Sequence, residues 1–326
     1  MIIVTGGAGF IGSALITELN NRNITDILVV DQLGCDQRWK NLRNLSFADY
    51  VEKDDFLDLV IDDQFDNSIE AIFHLGACSD TTETNASYLI KNNYEYTKLL
   101  AQWATDCDIR FIYASSAATY GDGSAGFNDN EMEIEHLKPL NMYGYSKQLF
   151  DLWAYKTGLL QQIAGMKYFN VFGPNEYHKG NMQSFCLKAF KQISNEGKVR
   201  LFKSYESEFK DGEQIRDFIY VKDAVDMTLF FLDNPELCGL FNIGTSEPRT
   251  WNDLVIAVFI AMGKKPNIEY IEMPDSIRNQ YQYYTCADIS KIRKAGYNKK
   301  TISLEDSIKD YIQNYLQKDE YLIGVS

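Results

Sequence analysis

Three side chains in this sequence have the types and spacing needed to move a proton on and off a hydroxyl group. Ser116 follows the apolar run Phe111–Ala114, and Tyr143 and Lys147 come later in the chain. Because helical residues four apart share one face, the Tyr143 phenol and the Lys147 ammonium can point into one cleft. A neighbouring ammonium favours the phenolate, so Tyr143 can take a proton from a hydroxyl that Ser116 holds by a hydrogen bond. These residues predict oxidation and reduction at a carbon that carries a hydroxyl.

A glycine-rich turn near the start of the chain predicts a dinucleotide site. Gly6, Gly7, Gly9 and Gly12 follow a short apolar run and open a helical pattern. Glycines in this context let the turn tighten and bring backbone N–H groups, at a helix N-terminus, against a pyrophosphate. A second apolar run ends in Asp31, whose carboxylate can accept hydrogen bonds from the ribose hydroxyls of an adenosine.

Apolar runs alternate with longer amphipathic stretches, which predicts an α/β fold with a Rossmann-type, doubly wound parallel sheet. The predicted strands are Ile2–Thr5, Ile27–Val30, Ala71–Phe73, Phe111–Ala114, Ile163–Tyr168 and Leu240–Ile243. The predicted helices are Ser13–Asn20, Asn85–Asp106, Tyr143–Thr157, Ser184–Ser194, Trp251–Met262 and Leu304–Leu316. We expect a cofactor-binding domain over residues 1–170, to which residues 215–245 return, and a smaller C-terminal substrate-binding lobe over residues 171–326.

Composition narrows the classes of partner and compartment. The chain has 326 residues, 45% of them hydrophobic, and a formal net charge of −14, which disfavours nucleic acid and anionic membrane surfaces as partners. An anionic small substrate therefore needs a local cationic pocket. The six cysteines form no C-x-x-C pair and no signal peptide precedes the first strand, so we expect reduced thiols and a cytoplasmic protein. Three dispersed histidines predict no metal site, and no apolar run reaches the length of a membrane span.

Five segments resemble the extended short-chain dehydrogenase/reductase family of nucleotide-sugar epimerases and dehydratases, and the resemblance covers essentially the whole chain. They are Thr5–Gly12, Ser115–Gly121, Tyr143–Lys147, Tyr168–Pro174 and Arg216–Val221. A narrower resemblance is to the members that epimerise an ADP-heptose at C-6″ for lipopolysaccharide core synthesis. It depends on Ile72–Ser79, Asn92–Tyr94, His178–Gly180 and Gln280–Gln282.

The resemblance implies two acid/base residues, Tyr143 and Lys179, one for each face of the sugar carbon, with Ser116 assisting. It also implies an ADP-sugar substrate. We expect a homo-oligomer, although the sequence does not determine the number of subunits. Together with the four glycines of the turn and Tyr143, it implies cofactor contacts at Phe10, Ile11, Asp31, Gln32, Arg38, Lys53, Leu75, Gly76, Ala77, Cys78, Ser79, Asn92, Lys147 and Val171. Together with Ser116 and Lys179, it implies substrate contacts at Asn170, Asn181, Lys188, Phe202, Lys203, Ser204, Tyr205, Arg216 and Tyr281.

The sequence departs from the family pattern in its substrate-facing half. Asn181 and Lys188 stand where the family more often has serine and histidine, and Ser204-Tyr205 replaces a Gly-Ser pair. The stretch Ser207–Gln214 is longer than the family pattern, so the placement of Arg216 depends on the Asp-Phe that follows it.

The choice of cofactor is a conflict between charge and resemblance. Asp31 repels a ribose 2′-phosphate, which favours NAD. The resemblance implies NADP, and Arg38 and Lys53 are cations that can offset the repulsion. We expect NADP, with NAD usable.

Three other functions share this fold. One is a UDP-sugar 4-epimerase. A second is a 4,6-dehydratase, which needs a carboxylate just after the serine, where Ala117-Ala118 stand. The third is a catalytically idle nucleotide sensor, against which the intact set of Ser116, Tyr143 and Lys147 argues, because a sensor has no use for matched proton-transfer groups.

Overall fold

The computed structural model describes residues 1–65, 68–278 and 281–324 of the chain. Its centre is a parallel sheet of seven strands in the order β11-β6-β5-β4-β1-β2-β3. These strands are β1 (Ile2–Thr5), β2 (Ile27–Asp31), β3 (Asp49–Glu52), β4 (Ala71–His74), β5 (Arg110–Ser116), β6 (Ala164–Tyr168) and β11 (Gly239–Ile243). The sheet is therefore of the predicted Rossmann type, and every predicted strand is part of it.

Helices cover both faces of the sheet. They are α1 (Phe10–Asn21), α2 (Lys53–Ile61), α3 (Ala86–Leu89), α4 (Tyr96–Asp106), α5 (Met142–Lys156), α6 (Phe185–Glu196), α7 (Val221–Asp233), α8 (Trp251–Ala261), α9 (Asp275–Arg278), α10 (Ser290–Lys294) and α11 (Leu304–Asp310). Ile2 and Val4 pack in the layer that contains α1 and α7, whereas Ile3 packs in the layer of α2, α4 and α5. Both faces of β1 are thus buried, as its unbroken apolar run requires.

Three two-stranded sheets lie in the second half of the chain. They are β7 (Asn170–Phe172) with β10 (Phe218–Tyr220), β8 (Val199–Phe202) with β13 (Ile268–Ile271), and β9 (Ile215–Arg216) with β12 (Arg249–Thr250). The first two pairs are parallel and the third is antiparallel. Among the described residues, no helix is long and apolar enough to cross a bilayer.

The structure corrects parts of the predicted secondary structure. The predicted helix Asn85–Asp106 contains a π-helical segment, Ile90–Glu95, between α3 and α4, and the predicted helix Leu304–Leu316 ends in a second one, Tyr311–Leu316. Apolar periodicity does not reveal such a change of hydrogen-bond register. The prediction also missed α2 and α7, and it missed β3, an edge strand whose side chains are partly exposed.

Candidate active site

A cleft of about 900 Å³ opens along the carboxyl ends of the central strands, where parallel sheets of this kind bind ligands. Most of the predicted site residues line it. They are Gly6, Gly9, Phe10, Ile11, Gly12, Asp31, Gln32, Arg38, Lys53, Leu75, Gly76, Ala77, Cys78, Ser79, Asn92, Ser116, Tyr143, Lys147, Asn170, Val171, Lys179 and Lys188.

The glycine turn has the shape needed for a dinucleotide. Gly6 has a φ of +70°, and a Cβ on it would lie 2.6 Å from the backbone nitrogen of Gly76. A Cβ on Gly12 would overlap the carbonyl oxygen of Gly6. Gly9 is the N-cap of α1 and makes no side-chain cap, so the first N–H groups of the helix remain available to an anion. The turn therefore fits the pyrophosphate of a dinucleotide.

Gly7 has a different place from the other three glycines. A Cβ on it would come within 3.1 Å of side chains in both β2 and α1, because it packs between the sheet and the helix. The absence of a side chain at Gly7 allows these two elements to approach each other closely, which is one of the functions of glycine in such turns.

Asp31 ends β2 at the expected adenosine end of the cleft, and its carboxylate is already hydrogen-bonded. Oδ2 accepts from the Ala8 N–H at 2.9 Å, and Oδ1 accepts from the Gln32 N–H at 2.7 Å. The Arg38 guanidinium also donates to Oδ1 at 3.3 Å and forms a two-pronged pair with Asp36. Two carboxylates thus hold Arg38 at the rim, so its charge is partly neutralised within the chain itself.

Helix α5 presents the predicted proton-transfer pair. The N-cap Asn141 accepts from the Gly144 N–H at 2.8 Å, which fixes the start of the helix. Lys147 is buried and its Nζ donates to the carbonyl oxygen of Ala114 at 2.8 Å. Burial lowers the pKa of Lys147 to about 8, although the charge of Asp151 opposes this.

The pKa of Tyr143 differs from the expectation, which was that a nearby ammonium lowers it. Burial raises the pKa of the Tyr143 phenol, and a hydrogen bond with Ser116 opposes this. Ser116 is itself held in place, because its Oγ accepts from the Ala118 N–H at 3.1 Å. Desolvation of the phenolate outweighs the hydrogen bond with Ser116, so the groups of the chain alone favour the protonated phenol.

Lys179 reaches the same cleft from a different part of the chain. It lies in the turn Tyr177–Met182, and its Nζ is 5.5 Å from the centre of the Phe10 ring. Burial lowers the pKa of Lys179 and the charge of Glu176 opposes this. The fold thus brings Tyr143 and Lys179 into one cleft.

Arg216 lies beside this cleft rather than in it. Its guanidinium is 5.6 Å from the ring of Trp251, which lines the cleft, and 5.2 Å from the ring of Tyr281. In the described part of the chain it donates to backbone carbonyl oxygens of Ile215 and Gln282 and pairs with no carboxylate. A buried, uncompensated guanidinium is a strong attractor for an anion.

The other predicted substrate residues lie further away. Phe202, Lys203, Ser204 and Tyr205 end β8 and begin the following loop, where Lys203 and Tyr205 both bond to Glu272. Asn181 is exposed, and its carbonyl oxygen accepts from Lys188. Gln280, one of the residues behind the narrower resemblance, lies outside the described residues.

Sequence reasoning missed several residues of this region. His178, Met182 and Trp251 line the cleft, and the first two flank Lys179 closely enough in sequence to have been found. It also missed a buried pair behind the cleft, in which Lys167 Nζ lies 2.8 Å from Asp151. Asp151 additionally accepts from Ser115 Oγ at 2.7 Å. The position of Asp151, one helical turn after Lys147, was the feature of the sequence that could have identified it.

Comparison with known proteins agrees with this geometry. A model of the NAD dependent epimerase/dehydratase family matches residues 2–244. The chain is 53% identical to an ADP-L-glycero-D-manno-heptose-6-epimerase of Nitratidesulfovibrio vulgaris, over 97% of this chain and 98% of that protein. It is 48% identical to the protein of the same name from Fusobacterium nucleatum, over 99% of this chain and 100% of that protein.

Solved structures show the same likeness. The Helicobacter pylori ADP-L-glycero-D-manno-heptose-6-epimerase superposes with a TM-score of 0.81 at 28% identity, covering 96% of this chain and 95% of that one. A Thermus thermophilus UDP-glucose 4-epimerase in complex with NAD has a TM-score of 0.74 at 22% identity, covering 95% and 97%, and shares the fold. The family and the glycine turn together indicate a nicotinamide dinucleotide cofactor. The chain belongs to the NAD dependent epimerase/dehydratase family and, within it, groups with the ADP-L-glycero-D-manno-heptose-6-epimerases.

Proposed function

We propose that this chain converts ADP-D-glycero-D-manno-heptose to ADP-L-glycero-D-manno-heptose by inverting C-6″, as a step of lipopolysaccharide core synthesis. The observation that carries the proposal is the presence of Tyr143 and Lys179 in one cleft with the glycine turn. An ordinary dehydrogenase uses one acid/base residue at the reacting oxygen, whereas a second one in the same cleft suits a ketone that is re-reduced on its other face. The names of the relatives supply the substrate.

The residues divide the proton transfers between them. When bound, the nicotinamide supplies a hydride acceptor that later returns the hydride to the other face of the carbon. Tyr143 takes the proton of the C-6″ hydroxyl in its phenolate form, which the positive charges of Lys147 and of a bound nicotinamide would favour, while Ser116 bonds to the same oxygen. Lys147 lies beneath this site and is oriented by the Ala114 carbonyl. After the ketone turns over, Lys179 gives a proton to its oxygen, and the lowered pKa of Lys179 makes its ammonium a better acid near neutrality. The hydride returns to the carbon that it left, so the reaction causes no net oxidation, and proton exchange with water restores Tyr143 and Lys179 before the next turnover.

A local cationic region would hold the diphosphate of the substrate against the negative charge of the whole chain. Lys188 lines the cleft and Arg216 adjoins it beside Trp251. Burial lowers the pKa of both, which reflects the cost of their desolvated charge. A diphosphate that neutralises these cations recovers that cost.

We propose NADP as the cofactor, with NAD usable. Arg38 and Lys53 both line the cleft together with Asp31, and a guanidinium suits a ribose 2′-phosphate. Asp31, Asp36 and the Lys53 partner Asp54 surround these cations with carboxylates, which explains why NAD remains acceptable.

We also propose that the protein works as a homo-oligomer in the cytoplasm. The family resemblance supports the cytoplasmic location. Two tyrosines on α5, Tyr145 and Tyr155, support the homo-oligomer, because they are 52% and 38% exposed. Aromatic side chains are enriched at interfaces between subunits. Light scattering of the purified protein measures the assembly, and a monomer at micromolar concentration would contradict it.

Incubation with ADP-heptose and, separately, UDP-galactose tests the proposed reaction. Proton NMR follows the anomeric and C-6″ signals of each sugar. We expect a mixture of the two C-6″ epimers from ADP-heptose and an unchanged UDP-galactose. Conversion of UDP-galactose alone would assign a 4-epimerase, and binding without any conversion would assign a nucleotide sensor.

A further inference from the structure

An epimerase that oxidises and re-reduces one sugar must keep its reduced cofactor between the two steps, because a lost cofactor leaves a stranded ketone. One segment of the chain lines the cleft beside the glycine turn, where such a cofactor would lie. It comprises residues 173–184, and we call it the strap. It carries His178 and Lys179, both of which line the cleft.

A single buried amide joins the strap to the glycine turn. The Asn41 side chain is 1% exposed. Its Nδ2 donates to the carbonyl oxygen of Ala8, in the turn, at 2.9 Å, and to that of Asn175, in the strap, at 3.0 Å. The glycine turn, which would hold the pyrophosphate, and the strap are therefore bonded through the same amide group.

Asn175 fixes the base of the strap a second time. Its backbone has a φ of +76°, a left-handed conformation that asparagine adopts more readily than most residues. Its Nδ2 donates to Ser13 Oγ on α1 at 3.0 Å, and its Oδ1 accepts from the Leu322 N–H at 3.0 Å. Asn175 is completely buried, so water does not compete for these bonds.

The tip of the strap makes a much weaker contact with the other side of the cleft. Met182 Sδ lies 3.7 Å from Thr81 Oγ1, on the opposite rim of the cleft. Thioether sulfur is a weak hydrogen-bond acceptor. Gly180, two residues earlier, has a φ of +52° and an open environment. The base of the strap is thus held firmly, by Asn175 and by the bonds from Ser184 to the Glu176 carboxylate, and the tip is held lightly at Met182.

We propose that the strap is a latch that retains the nicotinamide dinucleotide through the oxidised-sugar stage, hinged at Asn175 and opening at Met182. This inference rests on the proposed function, which supplies the need for retention. Asn41, Asn175 and Met182 act through the position of the strap and are positioning residues. The strap also carries Lys179, so the closed latch places the second proton carrier over the site.

The test is the rate at which bound dinucleotide exchanges with an excess of competing nucleotide, followed by stopped-flow fluorescence of the reduced form. Asn175→Gly keeps the left-handed backbone and removes both side-chain bonds. With about fivefold for each lost bond, it should speed release by tenfold or more. Met182→Ala removes the far contact from a half-buried position and should speed release severalfold. Met132→Ala is the matched control, because Met132 is 73% exposed and lies outside the cleft.

A second readout separates retention from general damage. The two variants should release dinucleotide faster, and their epimerase rate should come to depend on added dinucleotide, while the wild type and Met132→Ala need none. Release as slow as that of the wild type in both variants would overturn the latch. If the wild type binds no nicotinamide dinucleotide at all, the proposed function fails instead. If Asn175→Gly does not fold, Met182→Ala alone decides the question.

Discussion

At the scale of single residues, the two proton carriers come from distant parts of the chain and reach one cleft with oppositely shifted pKa values. Burial raises the pKa of the Tyr143 phenol and lowers that of the Lys179 ammonium. Both shifts have the same cause, since burial penalises whichever form is charged. Burial therefore favours the uncharged form of both residues. The charges of the bound cofactor and substrate must favour their charged forms during turnover.

Loss of either proton carrier should stop epimerisation. Tyr143→Phe keeps the ring and Lys179→Met keeps much of the stem, and each should lower the epimerisation rate by ~10²-fold or more. The epimerisation rate of the double variant should be little lower than that of the less active single variant, because one blocked step already stops the cycle. Steady-state kinetics with ADP-heptose measures this. Near-normal kcat with a raised KM in Lys179→Met would make Lys179 a phosphate anchor.

Lys147 should set an alkaline limit to activity. Its pKa is lowered to about 8, so its charge is present below that pH and is lost as the pH rises through it. Without that charge the phenolate of Tyr143 is less stabilised, and kcat should fall above about pH 8. Lys147→Arg keeps the charge and should move the limit to higher pH. If an active Lys147→Arg enzyme lost activity at the same alkaline pH as the wild type, the alkaline limit would belong to another group.

Arg38 should discriminate between the two cofactors. Arg38→Glu adds a negative charge beside Asp31 and should weaken NADP binding more than NAD binding, since NADP alone carries the 2′-phosphate. Fluorescence titration of both nucleotides gives the two dissociation constants. Equal losses for NADP and NAD would show that Arg38 does not contact the 2′-phosphate.

At the scale of elements, the buried Lys167–Asp151 pair joins β6 to α5 behind the reacting groups. Lys167 is 1% exposed, and it also donates to Thr119 Oγ1 at 2.7 Å. Asp151 accepts from Tyr113 and Ser115 on β5. One buried pair thus fixes the relative positions of the strand that ends in Ser116 and the helix that carries Tyr143.

Breaking that pair from one side should be costly. Lys167→Met leaves the Asp151 carboxylate buried without its cation and should lower the free energy of unfolding by ~3 kcal/mol or more. Urea unfolding measures it. Lys156→Met is the control, since Lys156 and Glu135 form a pair 3.0 Å apart that is about half exposed, and its loss should cost under ~1 kcal/mol. Equal losses in both variants would contradict a special role for the buried pair.

At the scale of the whole molecule, the cleft is formed by two parts of the chain that meet over the glycine turn. The central sheet and helix α5 supply Asp31, Ser116 and Lys147, and the segment after β7 supplies Lys179 and Lys188. A ligand in such a cleft contacts both parts and therefore stabilises their closed arrangement.

The purified protein should consequently retain its cofactor. Denaturation followed by enzymatic assay of the supernatant should release NADP, with NAD as a minor component. Protein stripped of nucleotide should melt at a lower temperature and regain stability on addition of NADP, because only the folded state binds it. Absence of both nucleotides, together with no binding by titration, would refute the cofactor assignment.

The sequence by itself determined the local features. Gly6 to Gly12, the strand that ends in Asp31, and the pair Tyr143 and Lys147 are each set within a few residues, by buried apolar runs, glycine geometry and helical spacing. That is why the sheet, the family and the cofactor class were predictable. The place of Lys179 in the site came from resemblance, since no spacing rule connects a residue in an irregular turn to a helix elsewhere in the chain.

Only the tertiary structure decided how distant residues meet and what charge they carry. The meeting of Asn41, Ala8 and Asn175, the pairing of Lys167 with Asp151, and the burial that raises the pKa of Tyr143 depend on residues far apart in sequence. The physical reason is that hydrogen bonds and desolvation act over a few ångströms in space. Sequence patterns record neighbours along the chain, whereas these contacts join residues far apart in sequence and arise only when the chain folds.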